Sequence, residues 1–345
     1  MRGTRARPTI YDVAEVAGVS ASTVSRAFAR PGRVSHETAE RVFAAATEVG
    51  YRSINVTGTS RPGAVKTSMI GLVIADIRNP VYAEMVRGAE AAAAEAGYTM
   101  LLAHTQESEC KERQAIERAM KSVDGFVLSS SRMSDSAIRM MAKQKPVIMM
   151  NRAVADVPSV ITDNPRGIRR AAEHLGELGH RSITYLAGPE ASWADGMRWR
   201  SLREAAMELT LSVRRTTSAP PTVGGGEEAA LEWLGNRTSG VIAYNDQMAI
   251  GFIRALAARG VNVPGEVSVV GFDNSYGAAL ITPALTTVEA PLYSLGATAV
   301  HNLLAYTRGA KSRSRAPVVL PTRLIVRSST AAGADAELPD RSDAA

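Results

Sequence analysis

The chain has 345 residues, 45% hydrophobic and 21% charged, with a single cysteine and a formal net charge of +6. At roughly 100–200 residues per domain this implies two or three domains, and the composition excludes global disorder. One cysteine excludes an internal disulfide framework and a cysteine-based zinc site, and no apolar run approaches the roughly 18 residues of a membrane-spanning helix. The basic opening, residues 1–8, leads into the mixed segment Thr9-Ile10-Tyr11-Asp12 and not into an apolar stretch. That argues against a secretory leader and predicts a cytoplasmic protein.

The charge is unevenly placed. Residues 1–66 hold ten Lys or Arg and five Asp or Glu, so the first fifth of the chain carries +5 of the total. A small basic unit ahead of a near-neutral body is the layout of a nucleic-acid reader joined to something else. In that unit, Thr9 followed by Asp12 is an acidic form of the capping box, and Val13, Ala14 and Ala17 recur at helical spacing up to Gly18. Ser20 can cap a second helix, in which Val24, Ala27 and Phe28 form a buried stripe. A third begins near Ser35, turns Ala39, Val42, Phe43, Ala46 and Val49 inward, and ends at Gly50. Two short helices joined at Ala17-Gly18-Val19-Ser20 form a helix-turn-helix arrangement, with the glycine for the tight turn and the valine as a plug. The second helix then presents Ala21, Ser22, Ser25 and Arg26 on one polar arc. Ala21 suits a thymine methyl, Ser22 can donate or accept, and Arg26 can pair bidentately with guanine. Tyr11, Ser20, Thr23, Ser25, Ser35 and Thr38 supply hydroxyls for phosphate oxygens.

The run from Thr9 to Arg26, with Arg33-Val34-Ser35, Thr38, Arg41-Val42 and Gly50-Tyr51, resembles the DNA-binding signature of the lactose/galactose repressor (LacI/GalR) family. The resemblance implies that Ala21, Ser22 and Arg26 read bases and that Arg33 makes a further DNA contact. Residues 52–67 are rich in Gly, Pro, Ser and Thr and read as a linker. There the family's Pro-Asn positions hold Ser53 and Ile54, its helical positions hold Thr57 and Gly58, and the leucine that wedges into the minor groove is Ser60. Weaker or differently organised DNA bending is expected.

From Met69 onward, apolar runs alternate with helical patterns. The runs are 69–75, 98–103, 125–129, 146–150, 182–187, 240–244 and 267–272; helix-like stretches cover 80–96, 108–122, 164–178, 198–209, 247–259 and 293–306. Such alternation predicts parallel sheets covered on both faces, and this many strands predicts two α/β lobes. In open α/β sheets ligands bind beyond the carboxyl ends of the strands. That rule singles out Asp76, Asn151-Arg152, Gly188-Pro189, Asn245-Asp246 and Asp273-Asn274, and the Asn, Asp and Arg side chains among them can chelate hydroxyls. Trp193, in the loop after one strand, is either a stacking surface for a sugar or a core or lid residue. Asp246 is either a ligand contact or the N-cap of the following helix.

Asn79-Pro80, Asp163-Asn164, Leu178-Gly179-His180, the run from Asn245 to Gly251 and the run from Val267 to Asp273 are similar to the effector-binding core of the same family, which resembles periplasmic sugar-binding proteins. The likeness implies that Asn151, Arg198, Asn245 and Asp273 hold a small effector, with Tyr82 and Trp193 as walls. The expected organisation is a helix-turn-helix head over 1–51, a linker over 52–67, a two-lobed effector-binding and dimerisation domain over 68–330, and a disordered tail over 331–345. The fold class is α/β: an all-α head followed by a periplasmic-binding-protein-like core with parallel sheets.

Enzymatic signatures are absent. There is no phosphate-binding loop, zinc-protease motif or dinucleotide fingerprint, and Gly224-Gly225-Gly226 after Pro220-Pro221 reads as a loop. None of the five histidines forms a close metal-spaced pair, and Cys110 at a helix start reads as an inert thiol. No cofactor or metal is expected. The leading expectation is a ligand-responsive transcription regulator, a repressor that binds a pseudo-palindromic operator as a homodimer. Its effector is sugar-like, with a purine-like ligand as the other option. A transporter's solute-binding protein and an enzyme on a doubly wound scaffold are the rivals.

Overall fold

The structure, a computed structural model, describes residues 9–29, 34–49, 67–309 and 316–333. It divides into two units, Met1–Val65 and Lys66–Ala345. Arg33 and residues 50–66, which include most of the expected linker, lie outside the described residues.

The first unit holds α1 (Ile10–Ala17), α2 (Ala21–Ala29) and α3 (His36–Val49). Each helix start follows from local chemistry. The Asp12 carboxylate accepts from the Thr9 amide at 2.5 Å and from its hydroxyl at 2.7 Å. These bonds hold Asp12 below the usual carboxylate range. Gly18 ends α1 in the left-handed region at φ 62°, a conformation without cost to glycine. Ser20 Oγ then accepts from the Thr23 amide at 3.2 Å, and Ser35 Oγ from the Thr38 amide at 3.4 Å. Val13, Ala14, Ala17, Val24, Ala27, Val42, Ala45 and Ala46 form the core, with Val19 packed against it from the turn.

The second unit contains two six-stranded sheets. The first has β1 (Met69–Ile74), β2 (Thr99–His104), β3 (Gly125–Ser129), β4 (Val147–Met150), β5 (Ser159–Thr162) and β11 (Val318–Leu320), in the order β11-β5-β4-β3-β1-β2. The second has β6 (Ser182–Leu186), β7 (Ser212–Arg215), β8 (Gly240–Ala243), β9 (Ser268–Asp273), β10 (Thr286–Glu289) and β12 (Arg323–Ile325), in the order β12-β10-β9-β8-β6-β7. All neighbours are parallel except β10 and β12. The N-lobe carries α4 (Val81–Glu95), α5 (Glu109–Ala119), α6 (Asp135–Gln144) and the returning α11 (Leu292–Thr307). The C-lobe carries α7 (Asn164–Glu177), α8 (Trp193–Leu209), α9 (Val223–Gly235) and α10 (Asp246–Ala257). The chain crosses between lobes near 162–164, 289–292 and 320–323. Two crossings are tied together: the Asp163 amide donates to Leu320 O at 2.9 Å and Thr322 Oγ1 to Asp163 O at 2.9 Å.

The expected two-lobed α/β architecture is present, with three differences. The runs at β5, β7, β10, β11 and β12 are three or four residues long, too short and polar to register as hydrophobic periods. Residues 224–226 are not a loop but lie in the first turn of α9, capped by Thr222 Oγ1, which accepts from the Gly225 amide at 3.2 Å. A Cβ at Gly226 would collide with the Met248 carbonyl, and one at Gly251 with the Val223 carbonyl. The glycines let α9 and α10 touch backbone to backbone. Finally, residues 331–333, assigned above to a disordered tail, are pinned to the C-lobe. The Ala331 amide donates to Ser268 Oγ at 3.0 Å, His180 Nε2 meets Ala331 O at 3.1 Å, and the Gly333 amide donates to Leu178 O at 2.7 Å.

Candidate DNA interface and interlobe cleft

In the head, the polar arc of α2 is outward. Ser22, Ser25 and Arg26 are exposed, while Ala21 is half-buried against the core. Arg26 is not loose: Nε donates to Ser22 O at 3.2 Å and Nη2 to Ser22 Oγ at 3.1 Å. Ser20 Oγ lies 2.8 Å from Ser22 Oγ and 2.9 Å from Thr23 Oγ1. The hydroxyls of Ser20, Ser22 and Thr23 therefore form one patch with the guanidinium. Tyr11 is 72% exposed, and Ser35 and Thr38 share a hydrogen bond of 2.8 Å at the start of α3.

In the second unit the carboxyl ends of the two sheets face one another, and the segments after β3 and β6 meet where Arg132 Nη1 donates to Ala191 O at 3.5 Å. Helix α8 begins earlier than the sequence pattern suggests. Ser192 Oγ caps it by accepting from the Asp195 amide at 3.3 Å, so Trp193 is its first residue and not part of a loop. Three residues after Asp195, on the same face, stands Arg198, 3% exposed. Its Nε donates to Asn164 Oδ1 at 2.9 Å, its Nη1 to Tyr244 O, and its Nη2 lies 3.6 Å from Asp273 Oδ1. Its guanidinium carbon lies 3.5 Å from the Phe272 ring centre, a cation–π contact. Burial pushes Asp273 up to about 7 against the lowering effect of Arg198.

The other expected residues divide into two groups. Asn151 sits at the end of β4 with Oδ1 accepting from Thr162 Oγ1 at 3.2 Å. Tyr82 is buried at the start of α4, where desolvation raises its hydroxyl well above the usual range. Asn245 and Asp246 are spent on the fold. Asn245, not Asp246, caps α10, accepting from the Met248 amide at 2.9 Å and donating to Pro221 O at 3.1 Å. Asp246 is 1% exposed and accepts from the Ser275 amide and the Thr287 hydroxyl, each at 2.6 Å. Burial raises it to about 6. Of the two roles open to Asp246 in the sequence, the structure supports neither cap nor ligand contact: it ties β10 and the segment after β9 to α10. Arg152 also faces away, with Nη1 donating to Ser131 O and Met133 O at 2.6 and 2.7 Å.

Backbone conformation marks the same region. Gln106, Glu107, Ser130, Asn151, Asp273 and Asn274 all have positive φ, and all stand at the carboxyl ends of β2, β3, β4 or β9. Non-glycine residues there cost about 1–3 kcal/mol each, and such strain concentrates at functional sites. The ends of β2 and β3 contribute Glu107 and Arg132, which the sequence reading passed over. The strand-end rule reaches them only when it is extended from β1, β4, β6, β8 and β9 to β2 and β3. Among the described residues no cluster of His, Cys, Asp and Glu is arranged for a metal ion, and no helix is long and apolar enough to cross a membrane.

The profile of bacterial regulatory proteins of the lacI family matches residues 9–53, and that of a periplasmic binding protein-like domain matches residues 172–330. The HTH-type transcriptional regulator DegA of Bacillus subtilis (strain 168) is 34% identical over 334 residues, spanning 94% of this chain and 98% of its own. Among solved structures, the Lac repressor dimer bound to operator and the anti-inducer ONPF superposes with a TM-score of 0.78 at 26% identity, covering 95% of this chain and all of that one. A LacI family transcriptional regulator from Enterococcus faecalis V583 with bound ribose superposes at 0.70 and 31% identity, covering 76% and 99%.

Proposed function

Since the chain belongs to the lacI family of bacterial regulatory proteins, we propose that it is a sugar-responsive transcriptional repressor that binds a pseudo-palindromic operator as a homodimer. Two helix-turn-helix heads reading symmetric half-sites require two-fold symmetry. The observation that carries the reading is the pairing, in one chain, of an exposed Ser22–Arg26 surface on a capped second helix with a buried Arg198–Asp273 pair in a two-lobed cleft. Arg26 and Ser22 read bases. Tyr11, Ser20, Thr23, Ser25, Ser35, Thr38 and Arg33 hold the phosphate backbone.

In the cleft, Arg198 and Asp273 present adjacent donors and acceptors to vicinal hydroxyls. Asn151, at the end of β4, adds a polar group from the N-lobe, and Tyr82 and the half-buried Trp193 are walls. Asn245 holds the floor through its cap and its bond to Pro221. A ligand that prefers one lobe geometry shifts the DNA-competent population, with a coupling on the order of 1–3 kcal/mol. The lacI-family head argues against a transporter's solute-binding role, and the regulators among its relatives argue against an enzyme. The test is selection of duplexes from a random pool, followed by titration of the selected operator with and without D-ribose, D-galactose and cellobiose. Sequence preference relieved or strengthened by a sugar is expected; no preference over random competitor under any condition would overturn the reading.

A further inference from the structure

Arg132 lies in the segment after β3, and its side chain is 6% exposed. Its Nε donates to Glu107 Oε2 at 2.6 Å and its Nη2 pairs with the same oxygen. Its backbone is fixed as well: the Arg132 amide donates to Glu112 Oε2 at 2.9 Å, and Arg152 grips the carbonyls of Ser131 and Met133 on either side. Only Nη1 points elsewhere. It reaches out of the N-lobe to the carbonyl of Ala191 in the C-lobe at 3.5 Å, the single direct hydrogen bond across the cleft mouth among the described residues. That distance is at the outer limit of a hydrogen bond, so the contact is cheaply exchanged. Ala191 precedes Ser192, the cap of the helix that carries Trp193 and Arg198. Tyr82 from the N-lobe and Tyr244 from the C-lobe both stand near Arg132, and Tyr244 Oη is held 3.0 Å from Ser192 Oγ.

We propose that Arg132, clamped by Glu107, is a specificity-determining contact for the effector, the N-lobe counterpart of Arg198 and Asp273, and that the pair of them selects an uncharged polyhydroxylated ligand. The proposal rests on the effector reading above. A ligand hydroxyl takes over Nη1 from the Ala191 carbonyl, so the ligand contacts both lobes at the point where they already meet. The charge selection follows from bookkeeping of ion pairs. Arg132 is paired with Glu107 and Arg215 with Asp195, and Arg198 lies beside the Asp273 carboxyl at 3.6 Å. A sugar phosphate approaching Arg132 finds that guanidinium already paired and meets the Glu107 carboxylate beside it. Neutral hydroxyls meet matched donors and acceptors there.

The experiment measures affinity and thermal shift of the full chain with D-ribose, D-galactose and cellobiose, and with D-ribose 5-phosphate and D-galactose 6-phosphate. The native protein is expected to respond to a neutral sugar and not to its phosphate. Arg132→Gln weakens that sugar about tenfold or more, the scale of a lost hydrogen bond to a charged group. Arg118→Gln, an exposed arginine on α5, leaves the affinity unchanged. Glu107→Gln leaves the Arg132 charge uncompensated and brings the phosphate into measurable range. That gain decides the matter even if Arg132→Gln folds poorly. Unchanged sugar affinity in Arg132→Gln, or a native preference for the phosphate, overturns the inference while the sugar-responsive reading stands. A native protein that responds to none of the neutral sugars overturns that reading and the inference together.

Discussion

Arg198 places its Nη2 3.6 Å from Asp273 Oδ1, with both side chains withdrawn from solvent and the Phe272 ring beneath the guanidinium. The pair is neither a bidentate lock nor a surface bridge. Burial outweighs the attraction and leaves Asp273 with a raised affinity for its proton.

A pH dependence follows. Folded Asp273 takes up a proton at about 7, against 3.8 for an ordinary aspartate. Between those values the folded state binds the extra proton, so this group's contribution to stability is full below about 4 and is lost as pH rises through about 7. Asp273→Asn removes that slope. The melting temperature of the variant should decline less than that of the parent between about pH 5 and 7.5. Parallel curves would mean that Asp273 is ionised throughout.

In the head, Arg26→Ala removes the guanidinium that Ser22 holds in place. The expected loss is about 1–3 kcal/mol of discrimination between operator and mutated operator. Residual binding should stay steeply dependent on salt, because the phosphate contacts remain. Fluorescence anisotropy on both duplexes at several salt concentrations measures it; an intact operator preference would remove Arg26 from the base-reading set.

Gly226→Ala tests the contact of α9 with α10, since the added methyl meets the Met248 carbonyl with no flexible side chain to yield. Overpacking of this kind costs about 1–3 kcal/mol. A denaturant midpoint equal to that of the parent would show that the helices can separate without penalty.

Truncation after Thr330 removes the hydrogen bonds of Ala331 to Ser268 and His180 and that of Gly333 to Leu178. It also uncovers His180, which is 2% exposed. Chemical denaturation should show a loss on the order of 1–3 kcal/mol, from the lost hydrogen bonds. A dispensable tail would leave the midpoint where it was.

The linker carries Ser60 where the family's wedging leucine would stand. Operator fragments in a circular-permutation gel should show little central bend, and Ser60→Leu should increase it. A strong kink with the native chain would refute this.

The head was almost wholly legible in advance. Thr9 with Asp12, Gly18, Ser20 and Ser35 act on backbone groups within four residues, so the helix limits are written locally, and the stripe of Val13, Ala17, Val24 and Ala27 needs only helical period to be recognised. The alternation of the body was legible too, through its apolar runs; resemblance singled out Arg198 and Asp273, but their pairing is a property of the fold. Gly224-Gly225-Gly226 was not, because a glycine run signals a turn unless a second helix comes near enough to need the missing side chains. Asp246 was ambiguous for a similar reason: its partners Ser275 and Thr287 are remote in sequence.

What the sequence alone determined is the set of elements and the chemistry they carry, because propensity, capping and hydrophobic period are short-range. Only the tertiary structure decided which of those polar groups are consumed by the fold and which face one another across the cleft. Glu107 and Arg132 follow strands separated by α5 and meet because β2 and β3 flank β1 with their carboxyl ends on one side. A hydrogen bond satisfied or left available is a property of such long-range neighbours, and no local pattern encodes it.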